Sequence, residues 1–126
     1  MTSTYLSQQI IADYFVGTKY ISKHTSNPGT TGSNEVTVGI DSAYARQAAT
    51  MASSLDGNYY RARNSADVVF PAAGAGASYN VTHIAVWDAL TGGNCLAIAP
   101  VTGGTIPVVA GTINTFAAND IVVRGE

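Results

Sequence analysis

Few residues in this chain could act as acid, base or nucleophile, and their spacing limits what they can do. There are 2 histidines, His24 and His83, and 1 cysteine, Cys95. Nucleophilic catalysis needs a nucleophile, a base and a group that orients the base. His83 stands beside Thr82 inside an apolar run, where a core or interface histidine hydrogen-bonded to backbone is the simpler reading. His24 precedes a polar loop and is expected on the surface. No G-x-S-x-G elbow occurs. A glycosidase would need paired carboxylates. The 8 acidic residues are Asp13, Glu35, Asp41, Asp56, Asp67, Asp88, Asp120 and Glu126. Most fall in turn contexts, where Asp hydrogen-bonds its own backbone, and no spacing singles out a pair. The calcium loop and the phosphate-binding glycine loops are absent, and Gly74-Ala-Gly76 lacks the third glycine and the strand–helix setting of a dinucleotide site. A lone cysteine forms neither an internal disulfide nor a zinc cluster, and Cys95 reads as a buried small hydrophobe. The expectation is no catalytic residue, no metal and no cofactor. Recognition chemistry is better represented. Tyr59 and Tyr60 stand beside Arg61 and Arg63, types enriched at binding surfaces. The plainer alternative puts one tyrosine in the core and its neighbour outside, as strand alternation demands.

The elements that would position these residues begin with a helix over 3–16. Thr2 or Ser3 can cap it, and Gly17 can end it in a left-handed conformation. Leu6, Ile10 and Tyr14 recur at four-residue spacing, broadened by Ile11 and Phe15. Ser7, Gln8, Gln9 and Asp13 are expected on the opposite, polar side. Such a short helix must pack on something. It either caps the body of this chain or docks into a neighbouring protein.

After Gly17 the pattern becomes period two, broken by turns. Lys19–His24 reads as a short strand, 27–34 as a polar loop, and Glu35–Gly39 as a short extended piece. Ala43–Ala52 alternates, although its alanines also permit a helix. Asp56-Gly57-Asn58 is a turn. Strands are expected at Tyr59–Arg63 and Ala66–Phe70, the latter stopped by Pro71, with a small-residue loop at 72–78. Val81–Ala89, apolar on both faces, reads as a central strand. Gly92-Gly93-Asn94 then supplies a hairpin turn into Cys95–Pro100. Short strands near 105–109, 112–117 and 120–124 complete the chain. This is an all-β pattern: an antiparallel, jelly-roll-like β-sandwich over 19–126 with one short N-terminal α-helix, as a single domain over 1–126.

Composition bounds the partners. The chain has 126 residues, 46% hydrophobic and only 11% charged, against a usual charged share of about a quarter. So neutral a surface favours assembly over the alternative of a small domain kept soluble by hydroxyls and amides. Few lysines guard the strand edges, which points the same way. Net charge is −2, and the 6 Lys and Arg form no patch, which argues against nucleic acid. Neither a signal peptide nor a membrane-spanning stretch is expected.

Three segments carry a resemblance: Tyr44-Ala-Arg-Gln-Ala48, Asn64–Ala73 and Thr82–Asn94. With the Thr4-Tyr5-Leu6 opening, Glu35-Val36, Val109-Ala-Gly-Thr112 and the last hydrophobic strand, they resemble a family of small bacteriophage virion proteins often labelled tail fibre proteins. The resemblance spans nearly the whole chain. It implies a non-enzymatic β-sandwich in the virion and carries over no catalytic or metal residue. Lys19–His24 is more polar than the family's corresponding strand, which would suit an edge or an exposed face. The length, with no coiled-coil or collagen-like stem, suggests a compact subunit.

The function expected is a structural tail- or fibre-associated accessory subunit, made in the host cytoplasm and carried in the virion. Its partners would be other virion proteins (tail, collar or major capsid protein) and further copies of itself, a trimer being one arrangement. Leu6, Ile10, Tyr14, Tyr59, Tyr60, Arg61 and Arg63 are the candidate interface residues. Alternatives are a capsid decoration (cement) protein, and a module that binds host-surface glycan through Tyr59 and Tyr60. A wall-degrading enzyme is the least favoured.

Overall fold

The structure is a computed structural model that describes residues 3–57 and 59–124. Thr2, Asn58, Glu126 and the side chains of Asp56 and Tyr59, which figure in the sequence reading, lie outside what is described. The chain runs α1 (Thr4–Tyr14), β1 (Gly17–His24), β2 (Gln47–Asp56), β3 (Tyr59–Asn64), β4 (Val68–Val69), β5 (Ser78–Val81), β6 (His83–Trp87), β7 (Cys95–Pro100), β8 (Ile106–Val109), β9 (Thr115–Phe116) and β10 (Val122–Arg124). It is an all-β protein with one short helix, as its alternation and turn spacing predict. Internal contacts divide it into two compact units, each discontinuous in sequence.

The first unit comprises Met1–Lys19, Ala49–Val68 and Phe116–Glu126. Ser3 caps α1, its Oγ accepting from the Leu6 N–H at 3.1 Å, which satisfies one of the donors a helix start leaves open. Gly17, at φ +100°, turns the chain out of the helix into β1. β2 pairs antiparallel with β3, and β10 with β3's other edge. The core here holds Ala12, Phe15, Ala49, Met51, Ala62, Ile121 and Val123. Ala49 and Met51 are buried while Ala48 and Thr50 are exposed, so this segment alternates as a strand and its alanines do not make it helical. Asn64 is fully buried and fully used. Its Nδ2 donates to the carbonyls of Ala66 and Ala117, both at 2.9 Å, and its Oδ1 accepts from the Ile121 N–H at 2.9 Å. One side chain thereby ties the end of β3 to the C-terminal segment.

The second unit comprises Tyr20–Ala48 and Val69–Thr115. β6 pairs antiparallel with β1 on one side and β7 on the other, so it is central, as its two apolar faces predict. The β6–β7 hairpin turns through Gly92 (φ +62°) and Gly93 (φ +72°). Asp88 fastens that turn by accepting from the Asn94 backbone N–H at 2.7 Å and its Nδ2 at 2.9 Å. A β5–β8 pair closes over Ala73, Ala77, Val81, Val101 and Val108.

Three local expectations are corrected. Glu35–Gly39 is extended only at Glu35, which bridges to His24, and turns at 38–40. Ala66–Phe70 shrinks to Val68–Val69. The polar segment Lys19–His24 is a strand, but not an exposed one: Ser22, Lys23 and His24 are all buried.

Candidate functional site

Two arrangements merit description, one in each unit. In the first, α1 packs on β3 and touches β10. The side it buries is not the aliphatic row. Gln8 and Ala12 are buried, while Leu6, Ile10 and Tyr14 are 42%, 56% and 59% exposed. Gln8, expected on the polar outer side, is therefore inside. The small Ala12 side chain permits a close approach to the sheet, and the 3.6-residue period then carries the Leu6–Ile10–Tyr14 row to solvent. Tyr5 packs edge-on against Tyr60, with ring centroids 5.3 Å apart and hydroxyls at 3.2 Å. Leu55, opposite Tyr60 in the strand register, is half exposed beside this pair. Asp13 accepts from the Ser53 hydroxyl at 2.7 Å and anchors the far end of the helix. Arg61 and Arg63 are half-buried on β3.

The second arrangement is a buried polar network that the sequence did not announce. β1 brings Ser22, Lys23 and His24 into the interior. His24, expected on the surface, is 0% exposed. Its Nδ1 meets the Ser33 carbonyl at 2.7 Å, and so carries the proton that it donates there. Its Nε2 then accepts from the Ser22 hydroxyl at 2.6 Å, and Ser22 Oγ accepts in turn from Trp87 Nε1 at 2.7 Å. This chain of donors fits a neutral imidazole. Burial holds its pKa below the ordinary histidine value, with Arg46 and His83 adding to that effect; the Ser33 hydrogen bond and the Glu35 charge oppose it.

Arg46 lies flat on Trp87, its guanidinium carbon 3.7 Å from the ring centroid. It forks onto Glu35 at 2.9 and 3.0 Å and reaches the carbonyls of Ala89 and Gly92 at 3.0 and 2.8 Å. Stacking plus a bidentate pair suits a guanidinium and no other side chain. Tyr44 also donates to Glu35, at 2.6 Å. Burial pushes the Glu35 carboxyl up, but the hydrogen bonds from Arg46 and Tyr44 outweigh it and the net shift is down.

Lys23 ends in a box of rings. Its Nζ lies 4.8 Å from the centroid of Phe70, 5.3 Å from Tyr79 and 5.7 Å from Tyr44. It donates to the Tyr79 hydroxyl and to Asn114 Oδ1, both at 2.8 Å. Tyr79 donates onward to Asp41 at 2.7 Å, and Asp41 also accepts from the N–H groups of Ala43 and Gly74. Each of these polar groups is matched, as burial requires.

His83 is half-buried, with its Nδ1 2.8 Å from Thr82 Oγ1. Its partner is thus a hydroxyl, not the backbone expected. No group of three or more His, Cys, Asp or Glu side chains able to hold a metal exists among the described residues.

The family model for the podophage GP4 fiber I protein gp80 matches residues 1–124. The chain belongs to that family. Its members are phage fibre structural proteins, as the sequence resemblance implied, and membership makes this chain a virion component. No curated protein matches it. Among the described residues, no helix is long and apolar enough to cross a membrane. Within this fibre family member, all three resembling segments contribute to this arrangement: Tyr44 and Arg46 from one, Phe70 from the second, Trp87 and Asp88's hairpin from the third. No local signal marked the site: Ser22, Lys23 and His24 stand opposite Ala85, Ile84 and His83 of β6, a register that only the folded sheet defines.

Proposed function

We propose that this chain is a non-enzymatic, tail- or fibre-associated accessory subunit of a bacteriophage virion that assembles through protein–protein contacts. Membership of the fibre family over residues 1–124 carries this reading. The outward row Leu6, Ile10 and Tyr14 is the contact surface for a neighbouring virion protein or a further copy of this chain. A helix pinned by Asp13 and Tyr5, yet presenting its apolar row to solvent, supports that role. Tyr60 and the half-buried Arg61 and Arg63 flank it on β3; Tyr59 belongs to the same strand.

Capsid decoration is the alternative place for the same kind of subunit. Copy number separates the two: a dozen or so copies per purified particle fit the neck, tail tip or fibre base, and hundreds fit the capsid lattice. A glycan-binding module is less well supported, because the Tyr60 hydroxyl and ring are already engaged by Tyr5. Phage carrying the triple change Leu6→Ser, Ile10→Ser, Tyr14→Ser should yield particles depleted of this protein. Normal incorporation would remove the helix row from the interface. Loss of cell or glycan binding by a normally incorporated Tyr60→Ala protein would favour the glycan reading.

A further inference from the structure

The lysine inside the second unit is set against a carboxamide. Lys23 is 2% exposed and Asn114 is 7% exposed. The 2.8 Å hydrogen bond from Nζ to Oδ1 leaves the amine beside Cγ, the carbon that bears that oxygen. Both backbones are held. The Phe70 N–H donates to the Asn114 carbonyl at 2.9 Å, and the Val36 N–H donates to the Lys23 carbonyl at 2.9 Å. The Lys23 N–H itself donates to the Tyr44 hydroxyl at 3.2 Å. The rings of Phe70, Tyr44 and Tyr79 stand around the amine, and burial of both side chains limits the access of water. Two reactants so fixed gain the large advantage of an intramolecular reaction.

We infer that Lys23 and Asn114 join in an intramolecular amide cross-link, Nζ to Cγ, with Tyr79 and Asp41 accepting the amine's proton. The amine needs a free lone pair, and burial already lowers the lysine's pKa against the opposing charge of Asp41. Tyr79 touches the reacting nitrogen and is the catalytic residue: it takes a proton from Nζ as it passes its own to Asp41 Oδ2. Asp41 is a positioning residue acting through Tyr79. Burial pushes its carboxyl up, but hydrogen bonds from Gly74, Tyr79 and Ala43 and the Lys23 charge prevail, so it is ionised at neutral pH and able to accept.

The neutral Nζ attacks Cγ and an N–C bond forms. The Cγ–Nδ2 bond then breaks, and Nδ2 leaves with a second proton from the attacking nitrogen, as ammonia. The proton parked on Asp41 goes to the ammonia or to water. One amine and one carboxamide become one secondary amide and one ammonia, with no change of oxidation state and no co-reactant. The link would tie two positions 91 residues apart. A chain with a single cysteine could thus gain a covalent staple that reducing conditions do not open.

The test is the intact mass of the full purified chain after folding at neutral pH. The expected mass is lower than the sequence mass by one ammonia, and proteolysis should release a branched peptide joining Lys23 to Asn114 that survives reductant. A full sequence mass after prolonged incubation overturns the inference, and so does an ammonia loss that maps to a single unbranched asparagine. Lys23→Met and Asn114→Ala should each retain the full mass; ammonia loss persisting in either overturns it. The wild-type measurement stands even where those variants fail to fold. Tyr79→Phe and Asp41→Asn should cross-link at least tenfold more slowly at neutral pH and recover at alkaline pH, while Asp41→Glu should retain most of the rate. That pH rescue is a response a merely structural defect would not give, and wild-type rates in both variants at every pH overturn the proton route.

Discussion

The two units bury opposite chemistry. In the unit built on 20–48 and 69–115, Lys23, His24, Asp41 and Arg46 are each less than a tenth exposed, and every one has named partners. Its exposed apolar residues are scattered, on turns and bends (Val38, Leu90) and on strands (Val69, Ile98, Val109). In the unit built on 1–19, 49–68 and 116–126, the buried polar residues among those described are the uncharged Gln8 and Asn64, while a row of large apolar side chains along α1 faces outward. A buried charge must be matched atom for atom, so the first arrangement dictates one placement of its side chains. An outward apolar row makes no such demand on its own chain. It is satisfied only when something else covers it.

Breaking that contrast should cost most at the charged core. Arg46→Ala strands Glu35 and removes the stack on Trp87, so the expected loss is about 3–5 kcal/mol, measured by denaturant unfolding. A loss under about 1 kcal/mol would mean that the network behaves like an exposed ion pair. Gly32 is next. It sits at φ +79°, and an added Cβ would run into the Trp87 ring and Cys95. Gly32→Ala should cost about 2–3 kcal/mol from backbone and overpacking strain together, read as a shifted denaturation midpoint.

Acid should sharpen the contrast further. The folded pKa of His24 lies below its unfolded value, so its contribution is intact above about pH 6.5. Below that, the unfolded chain takes up the proton first and stability falls until the folded value is passed. Ser22, the Ser33 carbonyl, Glu35, Arg46 and His83 are the groups around it. Stability measured from pH 7.5 to 5 should fall for the wild type and more shallowly for His24→Asn. Equal slopes would show that another group carries the acid sensitivity. The smallest effect belongs to the other unit. Ile10→Ser, being more than half exposed, should change stability by no more than about 0.5 kcal/mol. A loss above about 2 kcal/mol would mean that the helix row is packed inward and is no interface.

Elements whose signal is local were legible. Ser3 as cap, the Gly17 break, the hairpin at Gly92-Gly93-Asn94 and the central position of His83–Trp87 all follow from neighbours within a few residues. The same is true of the three short C-terminal strands. The failures share one cause. Alternation and helical periodicity state which residues share a face, but not which face is covered. Gln8 of α1 looked like part of the outer, polar side and is buried. Lys19–His24 looked like an exposed edge, and its last three residues are among the most buried in the protein.

The sequence by itself therefore determined the secondary-structure menu, the scarcity of charge and the family, because each depends on composition or on short-range order. Only the tertiary structure decided that Lys23 meets Tyr44, Phe70, Tyr79 and Asn114, and that Arg46 clamps Glu35 over Trp87. Those partners are 11 to 91 residues apart, and no local pattern encodes which distant side chains a strand will meet when it is buried. Burial then turned polar residues that looked like surface into the most constrained part of the molecule, because an ion or amide without water must find its partner within the protein.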